Sequence, residues 1–285
     1  MIQRSHFVII ALLIALFQGV SGRCGLAQEI RIYTTIRDLS GPPTQSKTEP
    51  NRVVVRSLML FHAGKVYDYI EPAGEVTVFE LSHRRFSVLN PRRQLCTELT
   101  QDEIRQYLGL AEDEAQKRMA ALADEASESS LKAQEVLWFQ FHPDFATSFD
   151  AMKSQLSLTA EHYQYTVEGF KPTSPEVVEK YLHVADWIAQ FNSVLHPQSL
   201  FPAPRLRLNQ ELRNRGLLPL SIDLQAETDP VLHLQARHEW TWKFQKTDRQ
   251  LIADWDKQLR DPNLRKVPFR QFQQEMLRTE VARKR

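Results

Sequence analysis

Cysteine is nearly missing, with 2 in 285 residues. Cys24 falls in the N-terminal segment and leaves Cys96 alone in the rest of the chain. An internal disulfide is therefore excluded from that remainder, which must fold on its apolar core. Glycine is also scarce, at 9, and none of it forms a glycine-rich phosphate loop. The patterns G-x-S-x-G, H-E-x-x-H and C-x-x-C do not occur. Their absence removes the common signatures of serine hydrolases, zinc proteases and dithiol chemistry. Charge of one sign is not in excess either, because 36 Lys+Arg face 35 Asp+Glu. Such a chain has no global field for nucleic acid or an anionic membrane surface.

The N-terminus carries the longest apolar run in the chain. Arg4 precedes Phe7 to Phe17, and Gly25 and Ala27 stand at the −3 and −1 positions of a cleavage site. This order predicts a secretory signal peptide over residues 1–27, and hence export to the periplasm or the extracellular space. The run is short for a membrane span, and Gln18, Arg23 and Gln28 follow it closely. An uncleaved anchor is the alternative reading. Arg23 before Cys24 argues against a lipoprotein signal, which needs a small residue there. Cleavage leaves 258 of the 285 residues, and loss of Arg4 and Arg23 takes the net charge from +1 to −1. No membrane span is expected after cleavage. The mature chain, 28–285, is long enough to bury a large core and is read as a single α+β domain with a C-terminal amphipathic helix. Cys96 is expected to be a small buried hydrophobe in a strand, not a nucleophile.

Short strands dominate the first third. Glu29 to Ile36 alternates, and Arg52 to His62 is a continuous apolar run, rich in β-branched residues, that suits a strand covered on both faces. Val66–Ile70, Val76–Leu81, Phe86–Leu89 and Leu95–Leu99 follow, separated by turn residues, as an antiparallel meander. The arginines of SHRR and NPRR fall at hairpin tips, where charge is solvated. Thr100 and Glu103 form a capping box for a helix running to Ala126. A strand is expected from Val136, then a hairpin over Leu156–Gly169. A helix opens at Ser174–Pro175, and Gly216 stops a short helical turn. Leu218 to Ala226 alternates, and Leu232 to Phe244 alternates over thirteen residues, so Leu232, Leu234, His238, Trp240, Trp242 and Phe244 share one predicted inward face. Thr247 or Asp248 caps a further helix, and Pro268 opens the last. The expected architecture is α+β: about nine strands in a strongly curved antiparallel sheet, an unclosed barrel with helices packed in its concave face.

The candidate site residues lie on the long strand. His238 interrupts an apolar face and reads either as a polar handle in a ligand cavity or as a core histidine bonded to the backbone. Trp240, Trp242 and Phe244 read either as pocket lining or as packing against a helix. His233 and His238 fall on opposite strand faces and cannot share a metal, and no other histidine pair has ligand spacing. No metal, cofactor or catalytic residue is assigned. His142-Pro143-Asp144 is read as a turn.

The stretch Leu60 to Leu99, with Gly64-Lys65, Val66-Tyr67-Asp68-Tyr69 and Leu89-Asn90-Pro91, resembles the periplasmic outer-membrane lipoprotein-carrier superfamily. Gly216 to Trp255 is similar to the closing hairpin of such domains. The resemblance implies an unclosed antiparallel barrel with helices in its mouth and an apolar interior that holds lipid or acyl chains. This chain begins in strand at Glu29, where the carriers begin in helix, and it is longer than a bare carrier, so no residue role is carried over. Two functions follow as expectations. One is an exported, non-catalytic binder of an apolar ligand such as a lipid or lipoprotein acyl chain. The other is an exported structural or interaction domain with a filled core.

Overall fold

A computed structural model describes residues 29–41, 52–71, 73–125, 127–196 and 199–283, with side chains through 277. The expected signal peptide, 1–27, lies outside these. Strands β1 (Ile30–Asp38), β2 (Val53–His62), β3 (Lys65–Ile70), β4 (Glu75–Glu80), β5 (Arg85–Asn90) and β6 (Leu95–Thr100) form the meander that the turn spacing predicts. Helices α1 (Gln101–Glu125) and α2 (Glu128–Phe139) follow, then β7 (Ala146–Asp150), β8 (Gln155–Thr159) and β9 (Tyr163–Phe170). Helices α3 (Pro175–Leu195) and α4 (Ala203–Arg215) precede β10 (Leu218–Ala226) and β11 (Leu232–Thr241). The chain then continues through α5 (Lys246–Leu259), β12 (Arg265–Lys266) and α6 (Phe269–Arg283).

All twelve strands join one sheet in the order β12-β6-β5-β4-β3-β2-β1-β11-β10-β9-β8-β7. The β12–β6 pair is parallel and the other pairs are antiparallel. The sheet is not closed. β1 and β11 pair across some two hundred residues, with Thr34 opposite His238, and this pairing joins the two halves of the sheet. Most buried apolar side chains fall into two clusters. One gathers Ile32, Val66, Phe79 and Phe86 of the sheet with Tyr181 and Phe191 of α3, Leu208 of α4 and Phe272 of α6. The other lies on the opposite face of the meander, where Leu60, Tyr67, Val76 and Cys96 meet Ile252 and Trp255 of α5. The continuous apolar run in β2 has this cause: neighbouring side chains point to opposite faces, and both faces are covered.

Several ends follow local chemistry. Thr100 N donates to Glu103 Oε2 at 2.7 Å and Glu103 N donates to Thr100 Oγ1 at 3.2 Å, the reciprocal pair expected at the start of α1. Gly216 takes φ 65° and ψ 39° at the end of α4. Leu217 N donates back to Leu212 O, so the expected short turn is a full helix with a left-handed stop. Asp248 does not cap α5 as a first residue. It lies inside the helix and accepts from Gln245 N at 2.7 Å. Pro175 opens α3 without a side-chain cap from Ser174. The hairpin-tip arginines are not simply solvated. Arg93 Nη1 donates to Glu275 O of α6 at 2.6 Å, and Arg85 pairs with Glu80.

Two expectations fail. The strand expected from Val136 is the end of helix α2, started by Ser127, whose Oγ accepts from Ser130 N at 3.1 Å. A short apolar run fits either period, and the cap three turns upstream decides it. Conversely, β7 is exposed at every position, so it has no buried face to impose an alternation on the sequence. The long strand also stops at Thr241. Trp242 is 42 % exposed in the bend that follows, not inward beside Trp240.

Candidate functional site

The meander face that meets α3 and α6 is not filled. A partly open cavity of about 870 Å³ lies there, walled by β1–β5 and β9–β11 on the sheet side and by α3, α6, His196 and residues 199–205 opposite. Apolar groups supply much of the lining: Ile32, Ile36, Met59, Ile188, Leu224 and Met276 are among them. Strand alternation brings these side chains to one face, and the helical period brings Tyr181, Ala185, Ile188 and Asn192 to meet them.

A polar seam crosses this apolar wall. His238 of β11 is opposite Thr34 of β1, and Thr34 is opposite Ser57 of β2. Ser57 is opposite Ile70 of β3, and Ile70 is opposite Glu75 of β4. Asp68 sits one rung away, between Met59 and Thr77. All of these but Thr77 line the cavity. His238 Nδ1 lies 2.8 Å from Thr34 Oγ1, while its Nε2 is buried without a hydrogen-bond partner. Burial, and secondarily the nearby Arg205 guanidinium, push the imidazole down to about 3, so the ring is neutral at pH 7. Asp68 is 7 % exposed and its Oδ1 has no partner. Burial pushes its carboxyl up to about 7. Burial also raises the Tyr165 phenol, to about 12, and the Tyr181 phenol, which a hydrogen bond from Arg205 opposes. Three arginines reach the lining. Arg92 is exposed, Arg93 is tied to Glu275 O, and Arg205 Nε donates to Asn209 Oδ1 at 3.0 Å.

The four residues singled out in the sequence are separated. His238 lines the cavity. Trp240, Trp242 and Phe244 do not. Trp240 stands beside it, edge-on to the lining residue Tyr181 at 4.9 Å, with Nε1 donating to Pro219 O at 2.8 Å. Trp242 stacks on Trp240 at 5.8 Å and faces solvent. Phe244 is buried in the other cluster, with its ring 5.7 Å from that of His62. Sequence reasoning passed over Asp68, Thr34 and Ser57. A signal was present in Val66-x-Asp68-x-Ile70, an acid in the phase of two apolar residues, but both faces of this strand are buried and the phase is hard to see.

A smaller space of about 400 Å³ lies between α2 and the β8–β9 turn, lined by Trp138, Phe139 and His162. Both nitrogens of His162 are already engaged, by Glu227 at 3.1 Å and Glu135 at 3.3 Å. Among the described residues no three His, Cys, Asp or Glu side chains gather as a metal site, and no helix is long and apolar enough to cross a membrane. Comparison with protein-family models and with curated proteins returned no match to this chain.

Proposed function

We propose that this protein is an exported, non-catalytic binder of an apolar ligand, a lipid or an acyl chain, held between the sheet and helices α3 and α6. The observation that carries the reading is the open volume. Protein interiors close to crystal-like density and leave few voids larger than a water molecule. Here a partly open cleft of about 870 Å³ remains among large apolar side chains, within the roughly 300–1,000 Å³ of small-ligand pockets. In this reading the sheet is strongly curved and α3 and α6 lie in its concave face, as in the lipoprotein carriers that Leu60–Leu99 resembles. Export rests on the order Arg4, Phe7–Phe17, Ala27.

Native mass spectrometry of protein purified from its own cell envelope tests both parts. The expected spectrum shows a chain starting near Gln28 with an adduct of lipid mass that is lost on denaturation. The adduct should also be lost in Ala189→Trp, which places an indole in the cavity. A chain still starting at Met1 overturns the cleaved signal peptide. A bare mass in every preparation overturns the binder and favours the interaction domain.

A further inference from the structure

We propose that the ligand of this cavity carries a hydrogen-bond-donating polar group, an amine or a hydroxyl, that docks on Asp68. The inference rests on reading the cavity as a ligand site and adds the chemistry of the ligand's polar end.

Asp68 serves no visible need of the fold. Its neighbours in the same strand phase, Val66 and Ile70, are apolar, and Met59 and Thr77 flank it across the sheet. An aliphatic side chain would continue that surface without cost to the ladder. Instead the strand holds a carboxyl that is 7 % exposed, with an oxygen that nothing in the protein donates to. Buried carboxyls are normally paired or hydrogen-bonded, because an unmet acceptor loses its water and gains nothing. A proton-donating ligand group supplies what is missing. The same wall carries a second unmet polar atom, His238 Nε2, on the neighbouring rung beyond Ser57 and Thr34. The apolar lining around this seam accommodates the ligand's hydrocarbon part. An anionic head would instead seek the arginines: Arg93 and Arg205 are bonded to Glu275 O and to Asn209, and exposed Arg92 is the competing site that a carboxylate probe reads.

The experiment compares dodecylamine, dodecanol and dodecanoate as displacers of Nile red, a neutral dye with no donor, from the full chain. Dodecylamine and dodecanol are expected to displace the dye at concentrations about tenfold or more below that of dodecanoate. Asp68→Asn should remove the advantage of the amine while keeping that of the alcohol, since the amide oxygen still accepts. Asp68→Leu should remove both, so that the three displacers act at similar concentrations. If Asp68→Leu fails to fold, the amine arm of Asp68→Asn decides. Saturable Nile red binding without any preference for donors, or with dodecanoate tightest, overturns the role of Asp68 and leaves the cavity reading intact. No saturable dye binding by the wild type overturns both.

Discussion

Strands β2–β6 and strands β7–β11 belong to one sheet but live in different solvents. In the first group both faces are covered. Val66, Phe79 and Phe86 join the cluster with α3 and α6, while Leu60, Tyr67 and Val76 join the cluster with α5. In the second group β9 alternates between buried and wetter positions, and β7 is exposed throughout. On a strand with one wet face a polar side chain simply turns outward. In the covered half that escape is closed, so a polar group there is bonded, costly, or waiting for a partner. Tyr67 is the first kind, with its hydroxyl donating to Asp256 Oδ1 at 3.1 Å. Asp68, its neighbour in sequence on the opposite face, has no such bond at Oδ1.

The contrast can be broken most strongly at α5. Trp255 is 4 % exposed, stacked on Tyr67 and tilted against Tyr69. Trp255→Ala should lower the unfolding free energy by about 3–5 kcal/mol in a denaturant titration. A loss under about 1 kcal/mol would mean that the second face of the meander does not depend on its cover.

Asp68→Asn probes the same half through pH. The folded state holds the Asp68 proton more tightly than the unfolded chain, whose carboxyl titrates near 3.8. The stability contributed by the neutral carboxyl is therefore full below pH 4 and is lost as pH rises through about 7. The amide does not ionise. Unfolding free energies of the two proteins, compared at pH 4 and above pH 8, should diverge by on the order of 4 kcal/mol in favour of Asp68→Asn. Parallel profiles would place the carboxyl in contact with water.

Tyr67→Phe removes one hydrogen bond but keeps the ring in its cluster. The expected loss is about 0.5–1.5 kcal/mol by the same titration, and a loss as large as that of Trp255→Ala would show that Asp256 holds more than one group in place. The smallest effect belongs to Trp242→Ala, which should cost less than about 1 kcal/mol because the ring is 42 % exposed and stacks only on Trp240. A cost near that of a core tryptophan would restore the inward face that strict alternation implies.

The covered half was the more legible half. Its strands alternate or run apolar between turns that need left-handed residues, and Ala63, Gly64 and Arg84 indeed take positive φ. The other half hid β7, which buries nothing, and disguised α2, whose Val136-Leu137-Trp138-Phe139 fits a strand as well as a helix. His238 could be singled out because it stands alone on an apolar face. The aromatics after it could not be placed, because the alternation in Trp240, Trp242 and Phe244 continues past the end of the strand at Thr241.

By itself the sequence determined the absence of an internal disulfide beyond Cys24, the antiparallel meander, helices α1, α3, α5 and α6, and the two-sided burial of β2. All of these rest on composition or on the periods of 2 and 3.6 that a strand or helix imposes on its own residues. The tertiary structure alone decided that β1 and β11 meet, that Thr34 lies 2.8 Å from a histidine 204 positions away, and that Asp68 faces an unfilled space. A cavity is a shortfall of volume among side chains from many separate elements. No local period records it, because packed and open interiors are built from the same residues.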